Sequence, residues 1–282
     1  MSSSGLAVPA VTVVIPTFNR SEHVVEAVQS VLDQTFRDFE LVVVDDGSTD
    51  DTAARLARFE GQLRLIRQCN RGPSAARNLG IRETQSPFLA FLDSDDLWLP
   101  RKLEKQMAWM ADHPNRLICY TDEIWIRRGV RVNPRKIHHK HGGTIFAHSL
   151  RLCIVSPSSV LMRRSFFDRV GCFDESLPVA EDYDLWLRAA VHLRFGFLAE
   201  PLIVKRGGHP DQLSAQWGID RYRVRALVKL LDSGELSTRQ RRLTRCELIR
   251  RCRILENGYR KRGKLAEARQ FEELRLRYAR AE

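Results

Sequence analysis

The chain has 282 residues, 43% hydrophobic and 29% charged, with a formal net charge of +11, which is enough apolar material for one large domain with an appendage. No stretch approaches the roughly 20 apolar residues that a membrane span needs, and residues 1–10, without a basic start or a long apolar core, read as a disordered lead-in rather than a signal peptide. The six cysteines are scattered with no CxxC pair, which fits reduced thiols and a cytoplasmic location.

Val11-Thr12-Val13-Val14-Ile15 is a β-branched run ending in Pro16-Thr17-Phe18-Asn19-Arg20. Behind Ser21, a candidate N-cap, Val24, Val25, Val28, Val31 and Leu32 recur at helical spacing. A second strand, Leu41-Val42-Val43-Val44, ends in Asp45-Asp46-Gly47-Ser48, and Ala53, Ala54, Leu56 and Ala57 predict the helix after it. Leu63-Arg64-Leu65-Ile66 makes a third strand. Gly72-Pro73-Ser74 then opens a helix, with proline near its first turn, that carries Arg77 and Asn78.

Pro87-Phe88-Leu89-Ala90-Phe91-Leu92 is a fourth strand, apolar on both faces, and it stops abruptly in Asp93-Ser94-Asp95-Asp96. Three crowded carboxylates repel one another unless a cation or a row of donors neutralises them. Hard divalent ions take such oxygen ligands together with substrate phosphates, so a metal and phosphate site is the first expectation. The strand and helix alternation predicts a parallel sheet covered on both faces, with ligands beyond the carboxyl ends of the strands. Pro16-Thr17, Asp45-Asp46 and 93–96 all lie at those ends, so one crevice collects them.

Six segments, VTVVIPTFNR, LVVVDDGSTDDT, NRGPSAARNLGI, FLAFLDSDD, VGCFDESL and AEDYDLWLR, occur in the order found in family 2 glycosyltransferases, and residues 11–215 resemble that family. The resemblance implies an α/β GT-A fold and an inverting transfer of a sugar from a nucleoside-diphosphate sugar to an acceptor hydroxyl. It implies that Pro16 and Thr17 line the nucleotide pocket with Ser94 nearby. Asp46, or Asp45 in its place, would accept from uracil N3–H, which points to a UDP-sugar. Arg77 would approach the base or diphosphate, and Asp93 the ribose or a metal-bound water. Asp95 would bind a divalent Mn²⁺ or Mg²⁺ with Asp93, Asp96 substituting if the register shifts. Asp182, in the Glu181-Asp182 pair, would be the general base, with Glu181 and Trp186 on the acceptor side and Trp186 partly desolvating it. His209, behind Gly207-Gly208, is a further metal candidate on a loop suited to fold over the donor, where Lys205 or Arg206 reaches the diphosphate. His138, His139 and His141 lack a cysteine or carboxylate at ligand spacing and read as a surface loop near the acceptor.

The expected organisation is a lead-in at 1–10, a GT-A domain at 11–216 with a nucleotide-sugar half (11–123) and an acceptor half (124–216), and a basic helical tail at 217–282. That tail holds 19 Lys and Arg against 9 Asp and Glu, a difference of +10 that leaves +1 for the remainder. Its leucines predict three or four helices, with breaks at Ser233-Gly234, Asn257-Gly258 and Gly263; residues 257–264 resemble the turn of a paired-helix repeat. The charge suits anionic acceptors, a saccharide or lipid-linked sugar, or peripheral contact with the inner face of a membrane. Nucleic acid is not expected, because no reading motif accompanies the charge. A haloacid dehalogenase phosphatase is the rival for Asp93-Ser94-Asp95, but Leu97 stands where that chemistry wants Thr or Val. A nucleotidyltransferase would need a GGxGTRL loop, which is absent.

Overall fold

The computed structural model describes residues 8–208 and 218–280. Most of the expected lead-in and His209 therefore lie outside the described residues. Strands and helices are numbered in chain order. Four strands, β1 (Val11–Thr17), β2 (Phe39–Asp45), β3 (Arg64–Arg67) and β4 (Phe88–Phe91), run parallel in the order β3-β2-β1-β4. The sheet continues antiparallel through β8 (Val160–Arg163) to β6 (Ile118–Arg127), which pairs parallel with β9 (Gly196–Gly207), and β9 pairs antiparallel with β5 (Leu97–Trp98). A short β7 (Val130–Val132) pairs with β6.

The apolar runs form strands because alternate residues enter two different cores. Val13, Ile15, Leu41, Val43, Ala90 and Leu92 pack on one face beneath α1 (Ser21–Leu32), α2 (Thr52–Leu56) and α4 (Lys102–Asp112). Val14, Val42, Val44, Leu89 and Phe91 pack on the other, with α3 (Pro73–Arg82), α5 (Phe146–Arg151), α6 (Ser165–Val170) and α7 (Glu181–His192). Ser21 does not cap α1: Arg20 holds the cap position, and Asp50 across the loop accepts the Ser21 N–H at 3.3 Å. An acceptor from the neighbouring βα loop replaces the local cap, and so joins the first two loops of the site.

The tail continues the second core. Helices α8 (Ile219–Asp232), α9 (Thr238–Lys261) and α10 (Leu265–Arg280) follow one another, with α8 against α7 and α9 against α5. The expected break at Asn257-Gly258 does not occur, and α9 runs through it. Leu248, Cys252, Leu255 and Tyr259 bury one continuous stripe, and that burial outweighs the roughly 1 kcal/mol that a helical glycine costs. The turn comes instead at Gly263, φ +70°. Arg251 of α9 is 2% exposed and donates to the carbonyls of Leu150 at 3.3 Å and Arg151 at 2.8 Å, satisfying the orphan acceptors at the end of α5.

Gly80 sets how closely α3 approaches β1: a Cβ there would lie 2.5 Å from Val14 Cγ1. Gly80→Ala should gain up to about 1 kcal/mol of helix propensity and lose about 1–3 kcal/mol to the clash. The net expectation is a lower urea midpoint; an unchanged or higher midpoint would show that α3 can shift freely.

Candidate active site

The carboxyl ends of β1, β2 and β4 open onto a cavity of about 800 Å³, within the roughly 300–1,000 Å³ usual for small-molecule sites. Pro16, Thr17, Asp46, Arg77, Asp93 and Asp182 all line it, as do Ser94, Asp95, Glu181, Lys205 and Arg206. Segments from both halves of the chain thus meet in one place.

The first two loops are tied together. Asn19, in the left-handed region at φ +49°, accepts the Thr49 N–H at 2.8 Å and donates its own N–H to Ser48 at 2.9 Å. Gly47 turns at φ +83° where a Cβ would meet Asn70 N at 2.9 Å, so only glycine fits. The two adjacent aspartates divide the work. Asp45 is wholly buried and accepts the Ser48 N–H at 2.9 Å, closing the turn. Asp46 faces the cavity and accepts from Gln68 Nε2 at 2.6 Å and from the N–H groups of Arg71 and Gly72 at 2.9 and 2.8 Å. It therefore fixes the loop before α3 and retains about one of a carboxylate's four acceptor positions. Thr17 Oγ1 is buried without a hydrogen-bond partner among the described residues.

Arg77 is neither a surface arginine nor a group reaching out to phosphate. It is 4% exposed, and its two terminal nitrogens are taken by Asp93 at 2.6 Å and Glu181 at 2.7 Å, with Phe173 stacked 5.3 Å from its guanidinium. Burial opposes this charge, but the two carboxylates outweigh it and raise the proton affinity further. Glu181 feels the opposite balance: burial pushes it up to about 7, against the pull of Arg77 and with the push of Asp182. Ala180, which precedes it, is also left-handed at φ +64°, a strained conformation for a residue with a Cβ at the start of α7.

The three acids after β4 separate just as clearly. Asp96 is 2% exposed and accepts from Ser158 Oγ at 2.6 Å and the Arg206 N–H at 3.0 Å. Burial, with Asp95 and Asp93 beside it, pushes its carboxyl well above the usual range. Asp96 is thus a support under the loop, and the half-buried Asp93 and Asp95 are the pair at the cavity. Ser158 also accepts the Asp93 N–H at 3.1 Å, so it pins both ends of the loop. Nothing in Val155-Ser156-Pro157-Ser158-Ser159 marked that role; the antiparallel pairing of β4 with β8 creates it. Lys205, disfavoured by burial, is held charged by Glu123, Asp96, Asp93 and Asp182 around it.

Among the acids at the start of α7, Asp182 alone is placed to meet a substrate. Glu181 is committed to Arg77, and Asp184, 1% exposed, to Arg188 and Lys229 at 2.8 and 2.9 Å. Asp182 is half-buried; its Oδ1 accepts the Tyr183 N–H at 2.7 Å, and among the described residues its Oδ2 accepts the weak Cys153 thiol at 3.3 Å. Trp186 corrects the expectation made of it. It is 1% exposed, packs in the core against Phe166 and Phe173, and is not among the residues that line the cavity. His138, His139 and His141 form no metal cluster, nor does any group of three or more His, Cys, Asp or Glu among the described residues.

Residues 12–171 match the family model described as glycosyl transferase family 2. The chain is 39% identical over 195 residues to the putative teichuronic acid biosynthesis glycosyltransferase TuaG of Bacillus subtilis, covering 68% of this chain and 75% of that one. It is 30% identical over 182 residues to Escherichia coli WfgD, a UDP-Glc:alpha-D-GlcNAc-diphosphoundecaprenol beta-1,3-glucosyltransferase, with 63% and 68% covered. A Rickettsia felis relative, an uncharacterized glycosyltransferase, is 33% identical, but the chain spans only 30% of its length. Among solved structures, Staphylococcus aureus TarS 1-349 with UDP-GlcNAc superposes with a TM-score of 0.68 at 19% identity, covering 93% of this chain and 90% of that one.

Removing the Arg77 cation would leave the buried Glu181 and the half-buried Asp93 without their shared counter-charge. Arg77→Met should lower stability by about 3–5 kcal/mol, measured by urea unfolding, because an unpaired buried charge costs more than the pair contributes. A loss below about 1 kcal/mol would mean that water reaches these carboxylates. Fold, motif order and sequence similarity agree that the chain belongs to glycosyl transferase family 2.

Proposed function

We propose that the protein transfers a sugar from a nucleoside-diphosphate sugar, a UDP-sugar by preference, to an acceptor hydroxyl with inversion, using Asp182 as general base. The observation that carries this reading is the convergence of Thr17, Asp46, Asp93, Asp95 and Asp182 on one cavity from four separate segments. The orphan hydroxyl of Thr17 and the remaining acceptor position of Asp46 suit a nucleobase or ribose held at the ends of β1 and β2. WfgD is a UDP-Glc-dependent glucosyltransferase and TarS 1-349 binds UDP-GlcNAc, and both support the same donor class. Saccharide and lipid-linked acceptors of the cell envelope are the acceptor classes that the relatives' descriptions support.

Asp93 and Asp95 fit a divalent metal, Mn²⁺ or Mg²⁺, because they offer two half-exposed hard oxygen donors and leave the remaining positions for phosphate and water. When bound, the ion would stabilise charge on the departing diphosphate. Lys205 adds a fixed cation to the same wall. Asp182 would take the acceptor proton as the hydroxyl attacks the anomeric carbon opposite the leaving group, and Arg77 keeps the donor side and the base side in register through Asp93 and Glu181. Among the described residues no helix is long and apolar enough to cross a membrane. A cytoplasmic protein, meeting a membrane at most peripherally through its basic tail, fits that observation.

Two measurements test the assignment. Asp182→Asn keeps the hydrogen-bonding shape and removes the basicity, so turnover should fall by about 10² to 10⁴ while donor affinity stays within a few-fold. Retained turnover would remove Asp182 from the role. Asp95→Ala should abolish donor binding without unfolding the chain, and chelation of the wild type should do the same; full donor binding in EDTA would eliminate the metal.

A further inference from the structure

A second cavity, about 190 Å³, adjoins the first and shares Cys153, Lys205, Arg206 and Arg223 with it. Cys153 stands between the two. Its thiol, pushed up by burial and by the neighbouring carboxylate, donates to Asp182 from one side and forms a wall of the second cavity on the other. The lining is strongly cationic: Arg127, Lys140, Lys205, Arg206 and Arg223 oppose a single acid, Glu123. That acid is already compensated, since Lys140 lies 2.8 Å away with both side chains no more than 5% exposed, and Trp125 Nε1 donates to it at 2.7 Å. Five cations line the small space against one carboxylate, and Arg206 and Arg223 find their further acid partners, Glu26 and Asp220, outside the lining.

The donors are also incompletely used. Ser156 Oγ, Arg206 Nη2 and Arg223 Nε are buried and have no hydrogen-bond partner among the described residues. The rest of each guanidinium is positioned by protein groups: Arg206 by the Asp95 carbonyl and Glu26, Arg223 by Asp220 at 3.3 Å and by the Tyr183 ring. A buried donor without an acceptor costs about 1–3 kcal/mol. Three of them around one cationic space call for a ligand rich in acceptor oxygens and negatively charged.

We propose that this cavity binds a phosphate or diphosphate group carried by the acceptor, and so selects phosphorylated saccharide acceptors over neutral ones. The inference rests on the transfer reading above and adds the acceptor's chemical class to it. A phosphate held here places the attached sugar across Cys153 from Asp182, so the charge that anchors the acceptor lies beside the base that activates it. The donor's own diphosphate is not required for this contact, because Arg127, Lys140 and Trp125 line the second cavity only.

Calorimetric titration of inorganic pyrophosphate into protein saturated with UDP and Mn²⁺, with the heat of the same titration without protein subtracted because pyrophosphate chelates the ion, reports on the second cavity, since UDP occupies the nucleotide end of the first. Saturable binding is expected. It should weaken about tenfold or more in Arg127→Gln/Arg223→Gln, while Arg127→Gln alone weakens pyrophosphate and leaves UDP affinity unchanged. In transfer assays, glucose 1-phosphate should compete with the acceptor where methyl glucoside does not; equal competition by both would overturn the proposal. Failure of UDP itself to bind would sink the transfer reading. UDP binding with no pyrophosphate bound beside it, or with pyrophosphate binding unaltered in the double variant, would sink this proposal alone. Unchanged urea midpoints would keep misfolding of the variants from mimicking the result.

Discussion

A buried guanidinium shared by two carboxylates is the constraint on which the site depends. Arg77 joins the loop after β4 to the start of α7, segments that reach it from 16 and 104 residues away. Without it the buried Glu181 would lose its counter-charge beside a second carboxylate, a situation that favours taking up a proton. Arg77 therefore does more than add an ion pair: it makes the two halves of the cavity wall compatible, and the close approach of α3 to β1 at Gly80 determines where it stands.

Around that pair the chain assigns neighbouring acids to different tasks by burial. Asp45 closes a turn and Asp46 faces the cavity; Asp96 supports the loop and Asp93 with Asp95 reaches the ligand side; Glu181 and Asp184 are committed to cations and Asp182 is not. Asp96, Glu181 and Asp184 are buried and held by protein donors, whereas Asp93, Asp95 and Asp182 are half-buried and line the cavity; Asp45 and Asp46 are both buried and differ in the direction they face. Such a division is expected where chemistry must proceed on a rigid support.

The basic tail has a structural share in the same arrangement. Arg251 ties α9 to the end of α5, and the chain leaving α5 carries Cys153 to the wall between the two cavities. Arg223, on α8, contributes directly to both cavities. Part of the positive charge that composition alone assigns to a solvated or membrane-facing surface is thus directed inward, where the low dielectric makes it stronger.

The sequence by itself determined the first four strands, their succession along the chain and the loops that carry carboxylates, because a β-branched run ending in Asp or Pro-Thr is legible from a few adjacent residues. It also marked Asp182 and the Asp93 to Asp96 cluster as chemically unusual. It did not determine which of two adjacent acids faces the ligand, since that follows from the one-residue alternation of a backbone whose exit angle from the strand depends on its neighbours. Trp186, Ser21 and the Asn257-Gly258 pair depart from expectation for related reasons: a core contact, an acceptor from another loop and a buried helical stripe each overrode a local preference. Ser158, Cys153 and the Glu123–Lys140 pair carried no local signal at all. Only the antiparallel half of the sheet brings them to the site, and such long-range pairings are decided by the burial of whole faces rather than by any short segment.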